Sequence, residues 1–241
     1  LPVSEMERFV VWEEAIIHSQ GSGQLAAMGE LRDYMARVIE ERRRDPKDDL
    51  ISLAVTTEVG GAKLTHDEIM GMCIMLFMGG LDTVTSELGF VFRHLAENPE
   101  QQEWLRRRPE MIPTALEEIL RLYPIITTGR IATRDVEIGG VKITAGENVA
   151  CPLACASRDP AEIDSPNEVD LERNPNRHSA FGFGPHRCIG SHLARRELAV
   201  AIDQWLKLVP PFRVAPGATL EAAGAGVVAL RSLPLLWEVA P

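Results

Sequence analysis

Cys188 is the residue in this sequence best placed to do chemistry. It stands in Phe181-Gly182-Phe183-Gly184-Pro185-His186-Arg187-Cys188-Ile189-Gly190, directly before a strongly helical stretch. A sulfur there meets backbone N–H groups and the positive end of a helix dipole, which favour thiolate over thiol. Glycines at 182, 184 and 190 let the backbone approach closely, as a flat group lying on the turn requires. His186 and Arg187 add donors suited to carboxylates. A free buried cysteine beside a glycine-rich loop would use the same residues, so the turn alone does not decide between the two.

Two smaller constellations accompany it. Gly79-Gly80-Leu81-Asp82-Thr83 places two glycines and two polar residues inside an otherwise apolar helical run. Each glycine costs about 1 kcal/mol relative to alanine in a helix, so the run breaks its own pattern there. A threonine hydroxyl bonding back to the preceding turn is the plainer account. Glu118 and Arg121 stand at i and i+3 on one helix face. Taken alone, such a pair is an exposed salt bridge worth well under 1 kcal/mol.

The elements that must position these residues are mostly helical. Apolar residues at Met6, Phe9, Val10, Ile16 and Ile17 predict a helix over Ser4 to His18. Gly21-Ser22-Gly23 reads as a flexible turn, and Leu25 to Arg44 as a second helix ending in a solvated charge run. The central helix covers residues 65–97, opened by a capping box of Thr65 and Glu68 and stopped by Asn98-Pro99. About 30 residues would span roughly 45 Å, so this helix should cross the middle of the protein. A shorter helix covers 113–122, with Thr114 and Glu117 spaced as a second capping box. Val136 to Ile138 and Val141 to Ile143 flank Gly139-Gly140 as a hairpin. Residues 157–187 read as a long ordered loop of the functional kind. A last helix runs from Gly190 to about Leu208, and Val227 to Leu230 and Leu235 to Val239 read as edge strands. The whole reads as one mainly α unit with a small β part.

Composition excludes several functions. The 241 residues carry a formal charge of −10, which argues against nucleic acid as a partner. Four cysteines are too few for a disulfide scaffold and fit a reducing, cytoplasmic setting. The longest uncharged apolar run, Ile69 to Leu81, is too short to cross a bilayer, and no leader pattern opens the chain, so no membrane partner is expected. Cys151, Cys155 and His178 could be drawn as a zinc site, but the spacing is poor.

Together these motifs resemble the cytochrome P450 family, most of all its bacterial camphor-hydroxylase-like group. The haem-ligand signature Phe-x-x-Gly-x-x-x-Cys-x-Gly is met by Phe181, Gly184, Cys188 and Gly190. Glu118 and Arg121 match the Glu-x-x-Arg pair, and Arg173 matches its third member. Gly79, Gly80, Asp82 and Thr83 match the central-helix signature. His192-Leu193-Ala194-Arg195-Arg196-Glu197 and Leu233-Pro234-Leu235-Leu236-Trp237 match the group in particular.

The resemblance implies a mainly α cytochrome P450 fold over 1–241, with the haem-ligand loop at 181–190. It implies haem b as cofactor, Cys188 as the metal's thiolate ligand, and His186 and Arg130 as propionate partners. Gly79 and Gly80 would let the central helix pass close to the haem, while Asp82 and Thr83 would deliver protons during dioxygen use. Glu118, Arg121 and Arg173 would lock the core. The implied reaction inserts one oxygen atom into a C–H bond, with electrons from a ferredoxin-type partner that Arg195 and Arg196 could help dock. Phe77, Leu81, Val84, Ile125, Ile126, Thr127, Thr128, Val227 and Val228 are the expected pocket lining, for a small hydrophobic, terpenoid-like substrate. Complete family members are longer, and the motif order puts the shortfall before Ser4. The alternative expectation is therefore a non-catalytic fragment that holds haem poorly or not at all.

Overall fold

The computed structural model of the chain describes residues 1–224 and 226–238, the side chain of His18 excepted. It divides into two compact units, Leu1–Asp82 and Thr83–Pro241.

In the first unit a short 3-10 turn leads into α1 (Met6–His18), followed by α2 (Ser22–Arg44) and α3 (Leu50–Thr56). α1 turns Phe9, Trp12 and Ile16 inward, one helical step apart, against Leu31, Tyr34, Met35, Val38 and Ile39 of α2. The Phe9 ring meets Tyr34 edge-on at 5.4 Å, and Trp12 Nε1 donates to Glu30 at 2.8 Å. Fully burying each large apolar side chain is worth about 1.5–3 kcal/mol, which offsets the ordering of these helices. The turn expected over 21–23 is shorter. Gly21 alone takes a positive φ, of 67°, while Ser22 and Gly23 join the first turn of α2. α3 has no counterpart in the periodicity; Asp49 caps it by accepting the Ser52 N–H at 2.8 Å and also holds Arg42 at 2.6 Å. A two-residue ribbon, β1 (Glu58–Val59) with β2 (Ala62–Lys63), precedes the central helix.

That helix, α4, runs without interruption from His66 to Glu97, 32 residues or about 48 Å. Its capping box forms as expected, the Thr65 N–H donating to Glu68 at 2.7 Å and the Glu68 N–H to Thr65 Oγ1 at 3.3 Å. The expectation from run length applies to the charge-free run alone. Counting only the charge-free run understates α4, which is long and apolar enough to cross a bilayer by length and composition. Of its apolar residues, Ile69, Met70, Cys73 and Phe77 join the core of the first unit, and Val91, Leu95 and Ala96 that of the second.

The second unit continues with α5 (Pro99–Arg107), α6 (Ile112–Leu122), β3 (Thr127–Ile131), β4 (Val136–Ile138), β5 (Val141–Ile143), β6 (Asn148–Pro152), α7 (Leu153–Ala156), α8 (Ser191–Leu208) and four short strands, β7 (Phe212–Val214), β8 (Ala222–Ala223), β9 (Ala229–Leu230) and β10 (Leu235–Trp237). Pro99 ends α4 and also opens α5, where a missing N–H costs nothing. α6 is buried over most of its length and packs on α8, with Leu116, Ile119, Leu198 and Ile202 at the centre. The second capping box does not form. α6 starts at Ile112, so Thr114 lies inside it, and Glu117 is used elsewhere.

β3 pairs antiparallel with β6, and β4 with β5 across Gly139 (φ 57°) and Gly140 (φ 80°), as the hairpin signal predicts. β7 pairs with β10 and β8 with β9. Of the expected terminal strands, the first shrinks to a bridge at Val227 and β9, and the second ends at Trp237. Val239 lies outside the described residues.

Candidate functional site

Between Ala156 and Ser191 the chain forms neither α-helix nor strand, and it needs anchors. α6 supplies them from two adjacent carboxylates. Glu118, fully buried, accepts Arg121 Nε and Nη2 at 2.8 Å each, Arg173 Nε at 3.0 Å, Asn176 Nδ2 at 2.9 Å and the Asp170 N–H at 2.9 Å. Arg121, equally buried, also donates to the carbonyls of Ser157 (3.3 Å), Pro166 (2.6 Å) and Glu168 (3.0 Å). Burial pushes the Glu118 carboxyl up, but the bonds from Arg121 and Asp170 and the two guanidinium charges outweigh it and hold it below the usual range. The predicted triad is therefore assembled, and it is no exposed ion pair.

Glu117 is the residue that the sequence reading misses, having been assigned to a cap. It accepts Arg195 Nε at 2.6 Å and Nη2 at 2.8 Å, and its Oε2 lies 2.8 Å from His178 Nε2. The Ala180 N–H points at His178 Nδ1 at 3.2 Å, so the ring proton sits on Nε2 and donates to Glu117. Burial raises the Glu117 carboxyl, yet His178 and Arg195 together bring it down to about 2. Arg195 in turn lies over the Phe181 ring, 4.4 Å from its centroid. His178 Nε2 is thereby engaged by Glu117, and among the described residues no cluster of three or more His, Cys, Asp and Glu side chains is arranged to hold a metal ion. Arg195 is held inside the fold, which leaves Arg196 as the exposed member of that pair.

The turn above this network carries Cys188. Its N–H donates to the Phe181 carbonyl at 2.9 Å, and the Gly182 N–H to Ser179 at 2.7 Å. Gly182 (φ 66°) and Gly184 (φ 69°) occupy the left-handed region that other residues avoid. α8 begins three residues after Cys188, with Gly190 as its N-cap. The thiol is exposed, and so are the large apolar neighbours Phe183 (71%), Ile189 (73%) and Leu193 (62%). Beside the turn lies a cavity of about 590 Å³, lined in part by Glu117, His178, Phe181, Phe183, Arg187 and Arg195. All four cysteines are free.

The remaining predicted residues divide into groups. Phe181 and Gly190 are half-buried, whereas Gly184 and His186 are exposed. Arg130 lies on β3 opposite Val149, exposed, donating to Gly129. Ile125, Ile126, Thr127, Thr128, Val227 and Val228 are brought together: Ile126 bridges Val227, the Val228 N–H donates to Ile125 at 2.8 Å, and the Thr127 N–H to Gly226 at 2.9 Å. Phe77 instead packs in the first unit's core, edge-on to Phe9 at 5.7 Å. Leu81 lies partly buried against that core and Val84 against the second. Gly79 and Gly80 are exposed on α4, and Asp82 and Thr83 follow half-buried, the last of one unit and the first of the next.

A soft sulfur ligand on a glycine turn, apolar side chains bared around it, and exposed cationic and imidazole donors make the donor set of a haem-thiolate protein. The Cytochrome P450 family profile matches residues 15–112 and 109–216, and the chain belongs to that family, whose cofactor is haem b. It is 34% identical over 248 residues to the steroid C26-monooxygenase of Mycobacterium tuberculosis, covering 98% of this chain and 67% of that protein. The polyketide biosynthesis cytochrome P450 PksS of Bacillus subtilis is 36% identical over 220 residues, covering 89% of this chain and 54% of that one. Among solved structures, CYP109E1 from Bacillus megaterium in complex with corticosterone superposes with a TM-score of 0.88 at 32% identity, covering 98% of this chain and 66% of that one. The chain thus spans between about half and two thirds of these relatives' length.

Proposed function

We propose that this chain is the haem-binding part of a monooxygenase acting on a bulky apolar substrate of the terpenoid or steroid kind. The observation that carries the reading is the exposed Cys188 thiol, held on its turn among exposed Phe183, Ile189 and Leu193. Cys188 would hold the iron, the glycine turn would admit the macrocycle, and His186 and Arg130 would bind its carboxylates. When bound, the haem supplies dioxygen activation, placing one oxygen atom in a C–H bond while the other leaves as water.

The chain's own residues do the rest. Glu117, through Arg195, holds Phe181 and with it the carbonyl that receives the Cys188 N–H. Thr83 presents a hydroxyl that can pass a proton, and Asp82 carries the acid that feeds it. Ile125, Ile126, Val227 and Val228 offer apolar contact, with Thr127 and Thr128 as the polar exceptions. The names of the relatives support a large apolar substrate, one acting on a steroid and one serving polyketide biosynthesis. A cytoplasmic ferredoxin is the proposed electron donor, with Arg196 on the approach side.

The test is a haem titration of the chain followed by reduction under carbon monoxide. A red-shifted Soret band that disappears in Cys188→Ala is the expected result. A band that survives that substitution would remove Cys188 as ligand, and failure to take up haem would favour a non-catalytic fragment.

A further inference from the structure

Glu87 is a buried acid with a carboxyl oxygen that has no partner among the described residues. It is 6% exposed, and its Oε1 has no hydrogen bond. Burying a carboxyl unpaired is costly, and this unit avoids it elsewhere. Glu118 receives five N–H groups, and His94, two turns beyond Glu87 on α4, is bonded at both nitrogens, to Tyr123 at 3.1 Å and Gln101 at 2.7 Å. Among the described residues of this unit, no other carboxylate has a buried oxygen without a partner.

Its position suggests what the acid is for. Thr83 and Glu87 are i and i+4 on α4, neighbours on one face. Helical side chains lean toward the helix amino terminus, so the i, i+4 spacing directs the Glu87 side chain toward the turn that carries Thr83. Burial alone pushes its pKa up to about 8, with no neighbouring charge contributing, so the group is a neutral acid with a proton to give at pH 7.

We propose that Glu87 is a second acid of the proton-delivery path, acting through the Thr83 hydroxyl. The inference rests on the reading of Thr83 given above. The carboxylic proton passes to Thr83 Oγ1 as the hydroxyl's own proton moves onward. Glu87 is left as a carboxylate and recovers a proton from water, so only protons move. Glu87 is thus a positioning and supply residue behind Thr83.

Infrared spectroscopy of the 241-residue chain tests this without haem. A carboxylic-acid carbonyl band should be present at pH 7, fade with a midpoint near 8, and be missing in Glu87→Gln. Thr83→Val should shift that band, and Thr83→Ser should restore it. These two arms keep Glu87 in place should Glu87→Gln fail to fold. Absence of the band at pH 7, or a band indifferent to Thr83→Val, would overturn the proposal. If the coupling holds but the carbon monoxide test fails, the monooxygenase reading falls and the Glu87–Thr83 coupling stands. If the coupling is lost but that test passes, Glu87 alone is removed.

Discussion

Glu118→Gln should be among the most destabilising single-atom changes available to this chain. The carboxylate accepts five N–H donors at 2.8–3.0 Å and faces two guanidinium groups, one of them fully buried. Glutamine retains one acceptor oxygen and turns an NH2 group toward donors. Breaking one side of a buried ion pair costs about 3–5 kcal/mol, because the remaining charge keeps its desolvation penalty. Domains have only about 5–15 kcal/mol to lose. At roughly 2–4 °C per kcal/mol, the melting midpoint should fall by about 6–20 °C. Thermal and urea melts of the 241-residue chain, followed by circular dichroism, read this directly. A second variant sharpens the argument. Replacing a buried pair by two apolar residues often restores stability, but Glu118→Leu with Arg121→Leu should not do so here. Arg121 also satisfies the carbonyls of Ser157, Pro166 and Glu168, and these would be orphaned. A loss under 1 kcal/mol in Glu118→Gln, or recovery in the double variant, would refute the view that this cluster anchors the long loop.

Two further predictions concern pH. Glu117 falls from 4.5 to about 2 on folding, so its stabilisation is complete above 4.5 and is lost as pH drops toward 2. The ceiling is about 3 kcal/mol, less some screening since the side chain is 27% exposed; urea melts of Glu117→Gln should lack that part of the acid dependence. Glu87 rises from 4.5 to about 8, so the sign is reversed: its contribution is intact below 4.5 and is lost as pH climbs to 8, by at most about 5 kcal/mol. Glu87→Gln should flatten that decline in urea melts. Gly79→Ala and Gly80→Ala should each raise the melting stability of the chain by about 1 kcal/mol, because an added Cβ meets nothing within 4 Å and alanine favours helix. Unchanged or lowered midpoints would mean that these glycines serve packing after all.

Much of the fold was legible because its signals are local. The Thr65–Glu68 box, the Gly139-Gly140 hairpin and the proline after α4 each depend on neighbours in sequence, and each forms. Cys188 on a glycine turn before a helix was legible for the same reason. What escaped depends on contacts distant in sequence. Glu117 fits a capping box by spacing, but tertiary partners 61 and 78 residues away claim it. The Glu118–Arg121 pair looks like an exposed salt bridge until Arg173 and the carbonyls of the long loop close over it. Phe77 has the right spacing for a pocket face, yet Phe9 from another helix claims it. Glu87 gave a weak signal that could have been read: an acid on an apolar face, one turn after Thr83.

The two carboxylates of α6 show why their adjacency matters. Consecutive helical residues point about 100° apart, so Glu117 and Glu118 cannot serve the same neighbour. Glu118 takes the segment around Asp170 and Arg173, and Glu117 takes His178, Arg195 and, through Arg195, Phe181. A chain stretch with no α-helix or strand is thereby pinned at both ends of its approach to Cys188 by one rigid, buried helix. The pinning reaches the sulfur's residue through a single main-chain bond, from the Cys188 N–H to the Phe181 carbonyl. Displacing Glu117 should therefore disturb the Cys188 turn while leaving the Glu118 cluster in place. Displacing Glu118 should release the loop as a whole, because its partners lie upstream of everything that Glu117 holds.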